Sequence, residues 1–149
     1  MQLNRKRKTC WFILLLIGVI ACEVKPRAIN YGEDACHHCK MKLMDPYFGA
    51  EALTKKGKVY IFDDVNCLMN WKEEEKISEE DLAEVLVTDY NQPETLIDAT
   101  TAFYLKSPDF KTPMASEVAA FADYEALKAY KNKNGGIYLA WGELVTQFK

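Results

Sequence analysis

Nine consecutive residues, Cys36-His37-His38-Cys39-Lys40-Met41-Lys42-Leu43-Met44, hold two thiols, two thioethers and both of the chain's histidines. A third thiol, Cys67, follows 28 residues later inside Phe62-Asp63-Asp64-Val65-Asn66-Cys67-Leu68. Thiolate and thioether are soft donors, and together they select Cu(I) over harder ions. Methionine is a poor Zn(II) ligand, so Cys39-x-Met41-x-x-Met44 points to copper, and a short loop can build the low coordination numbers that Cu(I) accepts. Three other readings stand beside this one. Cys36, Cys39 and Cys67 with a histidine make a ligand set for structural zinc. Cys36 and Cys39 have the spacing of a thiol-disulfide redox pair, although such a pair normally opens a helix and this one leads into Met-rich sequence. Met41, Leu43 and Met44 are also ordinary core residues. Asp63 and Asp64 read as a helix N-cap and a solvated neighbour, with hydrogen-bond support of a metal ligand as the sharper role.

What surrounds this cluster restricts where it works. Arg5, Lys6, Arg7 and Lys8 precede an apolar run of 11 residues at positions 11–21, too short to span a bilayer as a helix. A basic segment followed by a short apolar one is the pattern of a secretory signal peptide. The run ends Val19-Ile20-Ala21-Cys22, which resembles the lipobox of bacterial lipoproteins. Residues 1–21 are therefore expected to be removed, leaving Cys22 as a lipidated N-terminus that holds the protein to a membrane of the cell envelope. Stable anchoring takes more than one acyl chain, a need met by several chains on one cysteine. Losing four basic residues and no acidic ones takes the formal net charge from −3 to −7. That argues against nucleic acid and anionic lipid as electrostatic partners. Cys10 leaves with the signal and Cys22 is taken by lipid, so the thiols of the exported part are Cys36, Cys39 and Cys67. An odd number in an oxidising compartment is no complete disulfide framework.

The elements that position the cluster follow from local patterns. Residues 22–34 are polar, carry Pro26 and Gly32, and read as a tether. Two short apolar runs around Lys55-Lys56-Gly57-Lys58 give a hairpin signal. Asp63-Asp64 then introduces a helix over about residues 65–76, followed by a strand at 85–88. Residues 102–105 and 117–121 read as strands, 123–131 as a helix stopped by Asn134-Gly135-Gly136, and 137–141 as a closing strand.

A slide of 59 residues aligns positions 59–71 with 118–130, with Val59/Val118, Phe62/Phe121, Asp64/Asp123 and Leu68/Leu127 identical. The fold class expected is α+β, with duplicated ββαβ units packed as one small domain over residues 35–149, its halves at about 35–90 and 95–149. Cys67 aligns with Ala126, and the second half contains neither Cys nor His. Soft chemistry confined to one copy points to a single site there. No nucleophile elbow or phosphate-binding loop is present, and both histidines belong to the Cys cluster, so a hydrolase is not indicated.

Cys36-x-x-Cys39-x-Met41, Phe62-Asp63-Asp64-x-x-Cys67-Leu68, Pro113-Met114 and Gly135-Gly136 before a strand resemble the NosL family, lipoproteins linked to maturation of nitrous oxide reductase. The resemblance runs from about Asp34 to Val145. It implies Cu(I) binding outside the cytoplasm, a non-enzymatic metallochaperone role, and delivery of copper to apo-nitrous oxide reductase or associated copper-handling membrane proteins. It also implies a duplicated ββαβ fold. Carried over residue by residue, Cys39 and Met41 match the Cys-x-Met core of the family motif, and Met44, Cys36, Cys67 and His38 are further candidate ligands. Lys40 is a departure, standing where the family commonly has glycine and placing a charge beside the site.

Overall fold

The computed structural model describes residues 25–147. The expected signal peptide, Cys22 and the first residues of the tether lie outside the described residues. Seven strands and three helices follow in the order β1 (Ala50–Thr54), β2 (Val59–Phe62), α1 (Val65–Glu74), β3 (Leu82–Thr88), β4 (Leu96–Asp98), β5 (Phe103–Lys106), β6 (Val118–Phe121), α2 (Tyr124–Asn134), β7 (Ile137–Leu139) and α3 (Trp141–Thr146). One sheet has the order β2-β1-β3-β4 and the other β6-β5-β7, antiparallel throughout.

The α+β expectation holds, and the duplication has the same topology in both halves. In each, a hairpin is followed by a helix, and the next strand returns to the far side of the hairpin's first strand. The sequence slide is reproduced in space: β2 and β6 begin 59 residues apart, as do α1 and α2. Asp64 and Asp123 both cap their helices, accepting the backbone N–H of Asn66 and Ala126 respectively. An Asp N-cap satisfies an N–H that the helix itself leaves unpaired. The halves meet where the chain leaving β3 runs beside β6, with a parallel bridge between Asp89 and Ala120 and a Tyr90 N–H to Ala120 carbonyl bond of 2.8 Å.

The core is correspondingly split. Ala50, Ala52, Phe62, Leu68, Trp71 and Val87 pack between the first sheet and α1, continuing into Tyr104 and Leu144. Leu105, Phe110, Ala119, Phe121 and Leu127 form a smaller cluster beneath α2. Among the described residues no helix is long and apolar enough to cross a membrane.

Several boundaries differ from the sequence reading. The tether expected over residues 22–34 is packed against the domain from residue 27 onwards. Ile29 is buried, Arg27 forms a two-point ion pair with Asp34 at 2.8 Å, and the Arg27 N–H donates to Glu51 at 3.2 Å. Gly49 permits this crossing, because a Cβ there would meet Ile29 Cδ1 at 2.8 Å and the Tyr31 hydroxyl oxygen at 2.5 Å. The polar composition of the segment concealed it: a single Ile and a single ion pair fix it, without any periodic apolar pattern. The closing strand stops at Leu139, and Trp141 opens α3 instead, with Glu143 reaching back to the Ala140 N–H at 2.8 Å. β4 adds an edge strand that a three-residue pattern could not announce.

The duplication supplies an internal comparison of the two caps. Asp123 only caps α2. Asp64 is fully buried and also accepts the backbone N–H groups of Met114 and Ser116 from the second half, at 3.1 and 3.4 Å. Asp123→Ala should cost about 1 kcal/mol, and Asp64→Ala about 3 kcal/mol because buried donors lose their acceptor. Urea unfolding of the two variants checks this; equal losses would contradict it.

Candidate metal centre

The Cys-rich segment folds as a tight hairpin. Ala35 bridges Lys42, the Cys36 N–H donates to the Met41 carbonyl at 2.8 Å, and the Lys40 N–H donates to the Cys36 carbonyl at 3.0 Å. The turn needs a left-handed residue, and Lys40 supplies it at φ 66°. That conformation costs an L-residue about 1–2 kcal/mol. The return is a ring of backbone donors around sulfur: Cys36 accepts from the N–H groups of His38, Cys39 and Asp63, and Cys39 accepts from Met41. Hydrogen bonds to a charged acceptor contribute about 1.5–3 kcal/mol each, so the strain at Lys40 is outweighed. A CxxC redox pair opens a helix; this one turns on itself, a form suited to holding a metal between thiolates.

A backbone bond docks the hairpin on the sheet edge. The His37 N–H donates to the Ile61 carbonyl at the free edge of β2, at 2.7 Å. Beyond β2 come Asp63, the capping Asp64 and the first turn of α1, which carries Cys67. The result is a cluster of Cys36, Cys39, Cys67 and Asp63 whose donor atoms all lie within 4.8 Å of one another. Cys36 and Cys67 are buried and Cys39 is half-buried, and all three are free thiols. Such a set can hold a thiophilic ion through two or three thiolates, with a carboxylate as a fourth donor.

The electrostatics of the cluster are those of thiols sharing few protons. The Cys67 thiol donates to Cys36, and with the surrounding backbone donors this lowers the Cys36 thiol from 9.0 to about 6, against the opposing effect of burial. Cys67 is correspondingly pushed well above the ordinary thiol range, first by Cys36 and then by burial. Burial, with Cys36 and Asp63 adding to it, raises Cys39 to about 11. Cys39 Sγ donates to Asp63 Oδ2 at 3.3 Å. The other oxygen, Asp63 Oδ1, is buried without a hydrogen-bond partner among the described residues.

The remaining sequence candidates are placed less closely. Met41 and Met44 are 48% and 70% exposed, so they line the surface beside the cluster and are not the core residues of the alternative reading. His38 Nε2 faces the Glu74 carboxylate at 3.2 Å, while its Nδ1 is buried with no hydrogen-bond partner among the described residues. His37 packs edge-on against Tyr60, with ring centroids 4.5 Å apart. Of the two roles the sequence leaves to Asp63, solvated neighbour of a cap or hydrogen-bond support of a ligand, its burial against Cys39 fits the second. A signal for it existed in the repeat: at the same slide of 59, Asp64 meets Asp123 but Asp63 meets Ala122. The cap is shared and Asp63 is not, which is also the pattern of Cys67.

Residues 27–148 match the family model described as NosL. A protein named copper-binding lipoprotein NosL, from Stutzerimonas stutzeri, is 27% identical over 148 residues, covering 89% of this chain and 76% of that protein. Among solved structures, the copper chaperone NosL from Shewanella denitrificans superposes with a TM-score of 0.68 at 21% identity, over 80% of this chain and 95% of that one. The structural likeness speaks for the fold.

In the metal-free protein, thiolate ultraviolet absorbance should show one step near pH 6, absent from Cys36→Ser, with Cys39 ionising only near pH 11. Stability follows with opposite signs. The Cys36 contribution is complete above about pH 9 and is lost as pH falls to about 6, whereas that of Cys39 is present below about pH 9 and lost towards pH 11. A single thiol step near pH 9 would contradict the assignment.

Proposed function

This chain belongs to the NosL family, and on that premise we propose that it is a membrane-anchored, extracytoplasmic Cu(I)-binding metallochaperone. The observation that carries the reading is the meeting of three thiols from two separated segments within 4.8 Å, under a surface bearing Met41 and Met44. Thiolates supply affinity for Cu(I), and exposed thioethers offer weaker ligands through which the ion can be passed on by exchange. Cys39 is the most accessible thiol of the three and the one joined to Met41 by a backbone N–H bond. Cys36 and Cys67 then hold the ion from within, and His38, with one ring nitrogen unpartnered among the described residues, is a further donor. Copper here is cargo, and the protein is a carrier and not an enzyme.

The family resemblance supports apo-nitrous oxide reductase, or the copper-handling membrane proteins that assemble it, as recipient. The Val19-Ile20-Ala21-Cys22 sequence supports attachment through lipid on Cys22. Four residues of sequence lie between Cys22 and Arg27, whose N–H donates to Glu51.

A second reading draws on Asp63. Three thiolates and a carboxylate are a donor set for four-coordinate Zn(II), and all four atoms lie together here. Anaerobic titration of the full-length protein with Cu(I) and Zn(II) in competition separates the two. Copper displacing zinc at one ion per chain is expected, and zinc retained against excess Cu(I) would overturn the chaperone reading. Removing the metal should leave the fold intact, because an apolar core shared by both sheets and a second cluster beneath α2 are built mostly from residues outside the metal cluster. Circular dichroism before and after chelation checks that, and unfolding on chelation would favour structural zinc.

A further inference from the structure

The charge of the molecule is not spread evenly. Residues 40–58 carry Lys40, Lys42, Lys55, Lys56 and Lys58 against Asp45 and the buried Glu51, a formal net of +3, whereas residues 59–149 carry −9. Two residues of this stretch, Lys40 and Lys58, lie beside the Cys-rich hairpin. Lys40 Nζ donates to the His37 carbonyl, and Lys58 Nζ lies 4.6 Å from the ring centroid of Tyr60, which itself packs on His37. These two lysines therefore flank His37, one residue from Cys36. The exposed Met41 sits between Lys40 and Lys42 in the chain, and Met44 two residues further on. Glu74 is bonded to His38, and the charge of Glu75 acts on His37. The surroundings of the imidazoles thus carry both signs, and the exposed methionines adjoin the basic residues in the chain.

Lys40 has a further oddity. It occupies a left-handed position at φ 66°, where glycine would relieve strain, and its charge is held at the turn nevertheless.

We propose that Lys40, Lys42 and Lys58 form a docking rim for an acidic protein surface surrounding a soft-metal acceptor site, and that this rim aims Met41 and Met44 at that acceptor. The inference rests on the copper-carrier reading and names the chemistry of its recipient. Opposite charges around two facing sites raise the encounter rate and fix the mutual orientation. They also offset the repulsion between an acidic acceptor and a loaded site, because Cu(I) with three thiolates retains negative charge. A protein recipient is favoured over an anionic membrane surface because the lysines alternate with thioethers, which have nothing to deliver to a lipid headgroup.

The test uses the full-length protein in detergent, loaded with Cu(I) and checked for one ion per chain beforehand. Failure to load counts against the copper reading and leaves the rim to be judged on the metal-free protein. Two synthetic Met-x-x-Met peptides serve as acceptors, one flanked by Asp and Glu and the other by Lys. At low salt the acidic peptide should take copper about tenfold faster, with the advantage vanishing once salt shortens the screening length to a few ångströms. Lys40→Glu/Lys42→Glu/Lys58→Glu should reverse the preference, and the corresponding Gln triple variant should abolish it. The metal-free protein should bind the acidic peptide and lose that binding in the Glu variant. Equal transfer to both peptides, or an unchanged preference in the variants, overturns the proposal. Equal slowing of both transfers would reduce the lysines to neutralising the site. Lysine-dependent binding to phosphatidylglycerol vesicles with transfer unaffected would give the rim to lipid.

Discussion

The hydrogen bond from the His37 N–H to the Ile61 carbonyl joins a chemically active hairpin to an otherwise ordinary sheet edge. β2 is the edge strand of its sheet, so its outer carbonyls would otherwise face solvent and invite unwanted pairing. Docking the hairpin there satisfies the edge and fixes the height of Cys36 and Cys39 along β2. Asp63 and Cys67 lie just past the end of that same strand, so the register of one bond determines whether the three thiols meet. The buried contact of Cys36 with Cys67 then locks the corner as part of the main core, in which both sulfurs are counted with Leu43, Phe62 and Leu68.

The duplication makes clear what the scaffold requires and what the chemistry adds. Both halves contain a β-hairpin, an aspartate-capped helix and a returning strand. In the second half the corresponding corner carries Ala122 and Ala126, with no hairpin of thiols against the edge of β6. That edge is instead met by the chain leaving β3 at Asp89, which ties the two halves together. One corner of the fold therefore holds a reactive cluster, while its counterpart serves as the seam. Asp64 links the two, because it caps α1 and grips the Met114 loop of the second half.

Much of this was legible in the chain. The alternation of apolar runs, the Asp caps and the Gly135-Gly136 stop are local signals, and local interactions enforce them. The convergence of Cys36, Cys39 and Cys67 was legible because cysteine and histidine are scarce and lie in one copy only. Other features depend on contacts distant in sequence. Nothing in the composition of residues 27–34 marks Ile29 as buried, since its partners around Gly49 and Thr88 are far along the chain. Asp63 looks like any acidic neighbour of a cap until the hairpin covers it. The exposure of Met41 and Met44 could not be read either, because a methionine at helical or strand spacing is more commonly core. The rim of lysines needed the fold to bring Lys58 beside Lys40.

The proposed copper site draws sulfur from both the hairpin and the start of α1. Copper X-ray absorption of the Cu(I)-loaded protein, compared with Cys67→Ser, tests it most directly. A sulfur-dominated shell that loses one sulfur neighbour in the variant is expected. A shell of nitrogen and oxygen, or a sulfur shell unchanged by Cys67→Ser, would contradict it.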